Sequence, residues 1–536
     1  MRRMYYFIPS WYKEQKSFSD NEKPWYFGQS KMEFDDTINQ VRMFAESQEK
    51  VKLIILNYFP KLRHFLHRQD IYEIEYFNLF DWFQGFDSRT PYRYVSLSDL
   101  VWPKQAELEY TMFEGKVYVN QKLYARVEYT PEGSISLVRY FSDDQLQKEY
   151  ILDDRGFLSS IIYYQAGQAQ ERVYVDIAGR WRLKENLINQ TVTVNQKLLP
   201  DLAAIYPNLA ALIEAGLGLY LQQLRATDIL VIAANQIHNN LILNNAIPTK
   251  KVLSFFRDRQ PYADEQGLQM LLGQVDLAIV DTYAAQKRLE EIEKPMSQAA
   301  KIYQMPPFDS RLNLGVSQRN VEEVVYMTLD GLPDIQRKKM LKQAFLTNEE
   351  IPNMKLILVS GHKEWLGGYQ SIIDQVLAEI NLAEVYCNQE QVDKSDHALI
   401  ELNEEEETSK ERFAKQKFYQ LVGYGSEQEI ITAVSKARLV VDLRQIPNTF
   451  LQIAGISAGI PQLNLGVSDY LVNEQNGLLL DSLDDLNRGL HYYLDGLQNW
   501  NKAMVYAVNQ ISEYTSGKIV ERWQKLIGGE LNGTSD

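Results

Sequence analysis

Unbroken apolar runs of strand length, alternating with helical patterns, constrain this chain more than any other feature. Met4-Tyr5-Tyr6-Phe7-Ile8 opens the series, and residues 52–56 follow a helical stretch over 34–47. Strands covered by helices on both faces are apolar on both faces, so they read as continuous runs rather than alternations. Residues 228–232, 251–256 and 276–280 extend the series, and a second series occupies 323–327, 354–359, 384–386, 419–422 and 438–441. Each series is long enough for one doubly wound sheet, which predicts an α/β protein with two Rossmann-like domains.

The rhythm changes between about 107 and 194. Turn signals such as Phe113-Glu114-Gly115-Lys116, Asp153-Asp154-Arg155-Gly156 and Ala178-Gly179 separate segments of period two, among them 124–129, 135–140 and 172–176. Alternation with β-branched and aromatic residues predicts an inserted antiparallel sheet, partly exposed and suited to docking. Met305-Pro306-Pro307 stops any helix and marks the link between the two halves. The predicted domains are therefore 1–106 with 195–310, the insert 107–194, a second Rossmann-like domain over 311–500, a C-terminal helix over 501–527 packing back on the body, and a flexible tail over 528–536.

A formal charge of -15 leaves no broad basic surface for a phosphate backbone, which argues against a nucleic-acid partner. The single cysteine, Cys387, cannot form an internal bridge, and the apolar opening run is too short for a signal peptide. The window 199–224 holds Pro200, Asp201, Pro207 and Glu214, costly in a bilayer centre. The expected location is cytoplasmic. Glu404-Glu405-Glu406-Glu407 reads as a solvated run.

No Gly-x-Gly-x-x-Gly follows a strand, and neither a Walker loop nor an Asp-x-Asp pair is present, so standard phosphate cradles are missing and no cofactor is expected. His64 and His67 could share a helix face, but Arg63 and Arg68 flank them and oppose a metal ion. Gly455-Ile456-Ser457-Ala458-Gly459 matches a hydrolase nucleophile elbow, with Asp481 and His491 following in order. The elbow needs a helix after the serine, whereas Pro461 interrupts one, so a serine hydrolase is a weak alternative.

The same segment resembles the donor site of retaining glycosyltransferases of the two-domain GT-B class, which carry a small-residue helix end of the form Ala-x-Gly-x-Pro. Here the segment reads Ile456-Ser457-Ala458-Gly459-Ile460-Pro461, with serine at the alanine position, and Gly423-Tyr424-Gly425 and Asn476-Gly477-Leu478-Leu479 are further landmarks in order. The resemblance implies two Rossmann-like domains facing a cleft. Aligned on Gly459 and Pro461, however, Ile446 and Ala454 stand where the class has glutamates, and Asp330 lies where it has a basic residue. A carboxylate near the diphosphate position repels it, so donor chemistry is expected to be lost. An active glycosyltransferase using a nucleotide sugar is the runner-up reading.

With the opening segment and the β insert, the whole chain resembles the first of the accessory secretory proteins in the accessory Sec system of streptococci and staphylococci. Membership would imply a non-catalytic protein that assembles with two other accessory secretory proteins and the accessory motor ATPase. It would serve export of serine-rich repeat glycoprotein adhesins and leave room for peripheral membrane association through the complex. Residues following predicted strands are the candidates for glycan contact: Asn235, Gln236, His238, Asp281, His362 and Arg444.

Overall fold

The computed structural model describes residues 3–12, 18, 35–86, 90–111, 114–130, 133–257, 259–294, 300–309, 317–351, 353–380, 418–424 and 426–529. Two compact units divide the chain: Met1–Pro307 with Val520–Asp536, and Phe308–Ile519. The expected strand at 384–386, Cys387, the glutamate run and residues 530–536 lie outside the described residues.

In the first unit, β1 (Met4–Ile8), β2 (Lys50–Ile55) and β3 (Glu75–Asn78) belong to a seven-stranded parallel sheet. The chain then enters the insert, a ten-stranded meander from β4 (Ala106–Tyr110) through β5 (Glu114–Val119), β6 (Lys122–Tyr129), β7 (Ile135–Ser142), β8 (Gln145–Leu152), β9 (Leu158–Gln165), β10 (Gln168–Val175), β11 (Trp181–Asn186) and β12 (Val192–Val194) to β13 (Ile205–Tyr206). It returns through β14 (Ile229–Ala233), β15 (Lys250–Phe255), β16 (Leu277–Val280) and β17 (Lys301–Gln304), giving the order β17-β16-β15-β14-β1-β2-β3. Every residue of β14 is buried, as its unbroken apolar run requires.

Two-residue turns make the meander. Asn120 and Gln121, Asp143 and Asp144, and Ala166 and Gly167 all take positive φ, the twist that lets a right-handed pair of strands close tightly. The sheet departs from the predicted boundaries: it starts at Ala106 and takes in Ile205–Tyr206, paired with β12, well past 194. A two-residue strand is too short to carry an alternation.

Charge ties the insert to the body that bears it. Arg63 reaches Asp154 at 2.5 Å, Asp153 at 2.8 Å and Asp81 at 3.0 Å, while Arg155 holds Asp153 at 2.7 Å and Asp81 at 2.9 Å. Tyr58 donates to Ser159 or Ser160, at 2.8 and 2.9 Å. Burial outweighs the arginine and pushes Asp154 up to about 6. Gly156 at φ 84 is required here, because a Cβ would lie 1.6 Å from the Arg93 carbonyl oxygen.

The second unit carries β18 (Glu323–Thr328), β19 (Met354–Ser360), β20 (Tyr419–Gly423), β21 (Leu439–Asp442), β22 (Gln462–Asn464) and β23 (Gly477–Leu479), all parallel, in the order β20-β19-β18-β21-β22-β23. Strand order reverses between β18 and β21, and in the first unit between β1 and β14. Loops diverge at such points and leave room for a ligand at the strand carboxyl ends.

The expected single helix over 501–527 is two helices, Leu497–Ile511 and Ser516–Gly528, broken by a turn in which the Ser512 hydroxyl donates to the Asn509 carbonyl. The first packs in the second unit through Trp500, whose indole N–H donates to the Arg438 carbonyl at 2.8 Å. The second ends in the first unit, where Trp523 meets Phe44 edge-on and Lys250 donates to the Ile527 carbonyl. No described helix is long and apolar enough to cross a membrane.

Candidate functional site

The carboxyl end of the second unit's sheet gathers polar and aromatic side chains from three neighbouring strands. Asp330 lies two residues past β18. Its carboxylate accepts from the Gly361 N–H at 2.6 Å, the Ser360 hydroxyl at 2.8 Å and the Tyr369 hydroxyl at 3.0 Å. Burial and then the Asp330 bond push the Tyr369 hydroxyl up to about 12, so it stays a proton donor at neutral pH. Donors from the end of β19 and the following helix therefore converge on an acid of the same chain.

From β21, Asp442 takes Arg444 as a two-point pair, Nε to Oδ1 at 2.7 Å and Nη2 to Oδ2 at 2.6 Å, and Oδ2 also accepts the Asn448 N–H at 2.8 Å. Gly331, at φ 73, makes room for this arginine, because a Cβ there would lie 2.7 Å from Arg444 Cδ. One strand further, Asn464 ends β22 fully buried, and its carboxamide has no hydrogen-bond partner among the described residues.

His362 stacks on Trp365, ring centroids 3.8 Å apart at 29°, with its Nδ1 3.3 Å from Glu364. Trp365 is 44% exposed, large for an indole held by a neighbouring ring. An open aromatic face beside hydrogen-bonding groups suits the C–H faces and hydroxyls of a sugar.

The four candidates from the first unit lie elsewhere and differ in kind. His238 is fully buried, with Nδ1 2.6 Å from the Tyr12 hydroxyl and Nε2 2.7 Å from the Ala233 carbonyl oxygen. Burial pushes it down to about 3, so it is a neutral core residue and not a ligand contact. Asn235 is also spent: it donates to Ser10 at 2.6 Å and accepts from the Ile237 N–H at 2.8 Å. Asp281 is buried and accepts the Arg257 N–H at 3.0 Å. Gln236 alone of the four is exposed. Beside them, Arg259 grips Asp36 at 2.7 and 2.8 Å and donates to the carbonyls of Ala234 and Ser254.

The hydrolase alternative fails on geometry. Ser457 sits inside the helix Thr449–Ala458, which precedes β22, so no strand delivers it to an elbow. The ring nitrogens of His491 lie 2.8 Å from Asp495 and 2.9 Å from Glu350. Gly459 caps that helix at φ 69, and the Pro461 carbonyl accepts from Val440 at 3.1 Å, so the small-residue motif is a helix-to-strand turn. Ala454 is buried in the core, whereas Ile446 is 86% exposed.

Asp442, Trp365 and Tyr369 escaped the sequence reading. Asp442-x-Arg444 at the end of an apolar run was available as a signal, and so was an aromatic pair spaced four apart on a helix after β19. Among the described residues, no three His, Cys, Asp or Glu side chains converge as metal donors.

A family model described as accessory Sec system protein, the first of the accessory secretory proteins, matches residues 4–529. A relative of that name from Streptococcus gordonii is 35% identical over 530 residues, covering 98% of this chain and 99% of the relative. The structure of accessory secretory proteins 1, 2 and 3 from Streptococcus pneumoniae contains a chain that superimposes with a TM-score of 0.77 at 30% identity, covering 98% of this chain and 100% of that one. The pneumococcal O-GlcNAc transferase GtfA, solved with UDP and GlcNAc, superimposes with a TM-score of 0.67 at 13% identity over 99% of this chain and 100% of that one. That likeness is one of fold, and the fold is GT-B-like.

Proposed function

The chain belongs to the family of the first accessory secretory protein of the accessory Sec system, and on that premise we propose that it is a pseudo-glycosyltransferase that recognises glycan without transferring it. In this reading it assembles with two other accessory secretory proteins and the accessory motor ATPase, in the cytoplasm or peripherally at the inner face of the membrane. There it presents serine-rich repeat glycoprotein for export. The pneumococcal structure of accessory secretory proteins 1, 2 and 3 supports the first part of that assembly.

One observation carries the loss of chemistry: Asp330 fills the donors at the end of β19 with its own carboxylate. A diphosphate arriving there would meet a fixed like charge that already holds the Gly361 N–H. Arg444, the nearby cation, is already neutralised by Asp442. Ile446 offers no acceptor, and a glutamate at Ala454 would bury a charge in the core. What remains is a recognition surface of His362, Trp365 and Arg444, with Asn464 behind it. Single-site affinity is expected to be weak and to rise when several glycans on one substrate engage several copies of the complex.

The test pairs two assays. Offered a panel of sugar nucleotides, the protein is expected to neither hydrolyse nor transfer them. In pull-downs it is expected to retain glycosylated serine-rich substrate over the bare polypeptide, and Trp365→Ala should cut that preference by about tenfold. Donor-dependent transfer would sink the pseudo-enzyme, and equal retention of both substrates would sink the glycan surface.

A further inference from the structure

Among the described residues, nothing pairs with the outer edge at one end of the meander. There, strand β4 pairs only with β5, in the register Ala106↔Val119, Leu108↔Val117, Glu109↔Lys116 and Tyr110↔Gly115. The Thr111 N–H points inward, donating to the Glu114 carbonyl at 2.9 Å. Inward and outward residues alternate along an antiparallel strand, so Tyr110, Leu108 and Ala106 turn their N–H and C=O groups outward. The Ala106 N–H, donating to the Pro103 carbonyl at 3.0 Å rather than to β5, fits that parity. Leu108 and Tyr110 thus present two successive sets of backbone donors and acceptors to whatever lies beyond.

Side chains along this edge have a pattern as definite as the backbone. Leu108 shares a face with Val117, which is fully buried in the insert's core, yet Leu108 is 40% exposed and Tyr110 64%. The hydroxyls of Tyr110 and the 74% exposed Tyr94 act on that of Tyr129, which places the three tyrosines together at this corner. On the opposite face Glu107 and Glu109 are both exposed. Lys116, the residue across from Glu109, is drawn to Glu114 at 3.1 Å. The edge therefore offers apolar contacts on one face and acidic charge on the other, at alternate positions.

We infer that β4 is a docking edge for an extended segment of a partner protein whose side chains alternate between apolar and basic. Such a segment would add an eleventh strand, bond to Leu108 and Tyr110 through its backbone, cover their side chains, and set its basic residues beside Glu107 and Glu109. A second copy of this chain is the wrong occupant, because pairing β4 with itself brings glutamates against glutamates. Natural sheets blunt exposed edges with charge, and here the charge selects by sign. This inference rests on the reading that the protein works in an assembly, and it names the surface for one contact.

The experiment uses the full chain and two variants. Leu108→Pro removes the outward N–H at a position where an edge strand tolerates proline, and Glu107→Lys with Glu109→Lys reverses the charge. The probes are a synthetic peptide alternating lysine and valine, its glutamate-valine counterpart, and the two other accessory secretory proteins co-expressed with the chain. The lysine peptide is expected to bind the wild type and to lose about tenfold in affinity with either variant. The glutamate peptide should bind only the charge-reversed variant. Circular dichroism and melting should match the wild type in both. Unchanged binding of the lysine peptide to both folded variants, or wild-type dimers that Leu108→Pro dissociates, would overturn the inference. If the co-expressed proteins assemble equally with wild type and Leu108→Pro, the docking edge fails and the assembly stands. If they do not assemble with the wild type at all, the assembly reading fails, and the peptides alone decide the edge.

Discussion

Two parallel sheets in this molecule end in an arginine clamped by a carboxylate, and the clamps are built for different purposes. In the first unit Arg259 neutralises Asp36 beside a second acid, Asp35, whose carboxyl is held above the usual range by burial and then by the Asp36 charge. Asp35 in turn caps a helix at the Ile38 N–H and takes the Trp11 indole N–H. Every group there is spent on the body of the protein. In the second unit Arg444 pairs with Asp442 and also feels Asp330, and at the end of β19 the indole of Trp365 remains open against His362. An arginine–carboxylate pair at the carboxyl end of a parallel sheet serves structure in one half and borders an open surface in the other.

Removing each arginine should expose that difference most strongly. Arg259→Met leaves two adjacent buried carboxylates without a cation, a loss expected to cost about 3–5 kcal/mol. Arg444→Met leaves one carboxylate that keeps the Asn448 N–H, and about 2 kcal/mol is expected. Urea melts of both variants provide the comparison. Equal losses would mean that the second clamp is as structural as the first.

The two buried ends also predict a pH dependence. His238 has its folded value pushed down to about 3 by burial, against an unfolded value near 6.5. Between these values the unfolded chain binds the extra proton, so stability rises with pH, and acid destabilises the fold by about 1.4 kcal/mol per pH unit in that window. His238→Phe, which fills similar space without the titration, should flatten the acid limb of a stability-versus-pH curve between about pH 6.5 and 3. An unchanged limb would mean that the histidine is not held neutral. Losing the Tyr12 bond should lower the plateau by about 1 kcal/mol at neutral pH.

How much of this was readable from the residues depends on how local each cause is. The parallel sheets were legible because burial on both faces leaves a mark in every strand, as in residues 229–233. The meander was legible because its turns and alternation are short-range. His238 was misplaced because a residue just after a strand reads the same whether it faces a ligand or the core, and its partner Tyr12 is 226 positions away. Trp365 is hard to read for the converse reason: its spacing of four from Tyr369 is visible, but a short aromatic spacing does not say whether the indole is buried or open, and only the fold shows it in the turn before the helix. Asp330 is legible in the sequence as an acid just past a strand, but its three donors come from other elements and only the fold assembles them.

Opening the second clamp's neighbourhood tests whether Asp330 acts as a resident anion. Asp330→Ser removes the charge and frees the Gly361 N–H and the Tyr369 hydroxyl, so inorganic pyrophosphate should gain about 1 kcal/mol of binding over the wild type in calorimetry. No transfer activity should appear, because nothing then orients an acceptor. If pyrophosphate binds the wild type as well as the variant, the carboxylate does not occupy an anion site.

The smallest expected effect lies on the outer surface of the second unit and has the opposite sign from that of His238. His491 is about a quarter exposed, and its bonds to Asp495 and then Glu350 raise its value above the ordinary range. A raised histidine contributes stability that is fully present below its unfolded value near 6.5 and is lost as pH rises through the folded one. Solvent screens both ion pairs, so the contribution should be only a few tenths of a kcal/mol, roughly that of an exposed helix pair. Melts of His491→Gln against the wild type should differ by that amount at pH 6 and converge by pH 9, with the gap shrinking further in salt. A gap that widened with pH would mean that the ring is held neutral, as His238 is, and that the two halves do not treat their histidines differently.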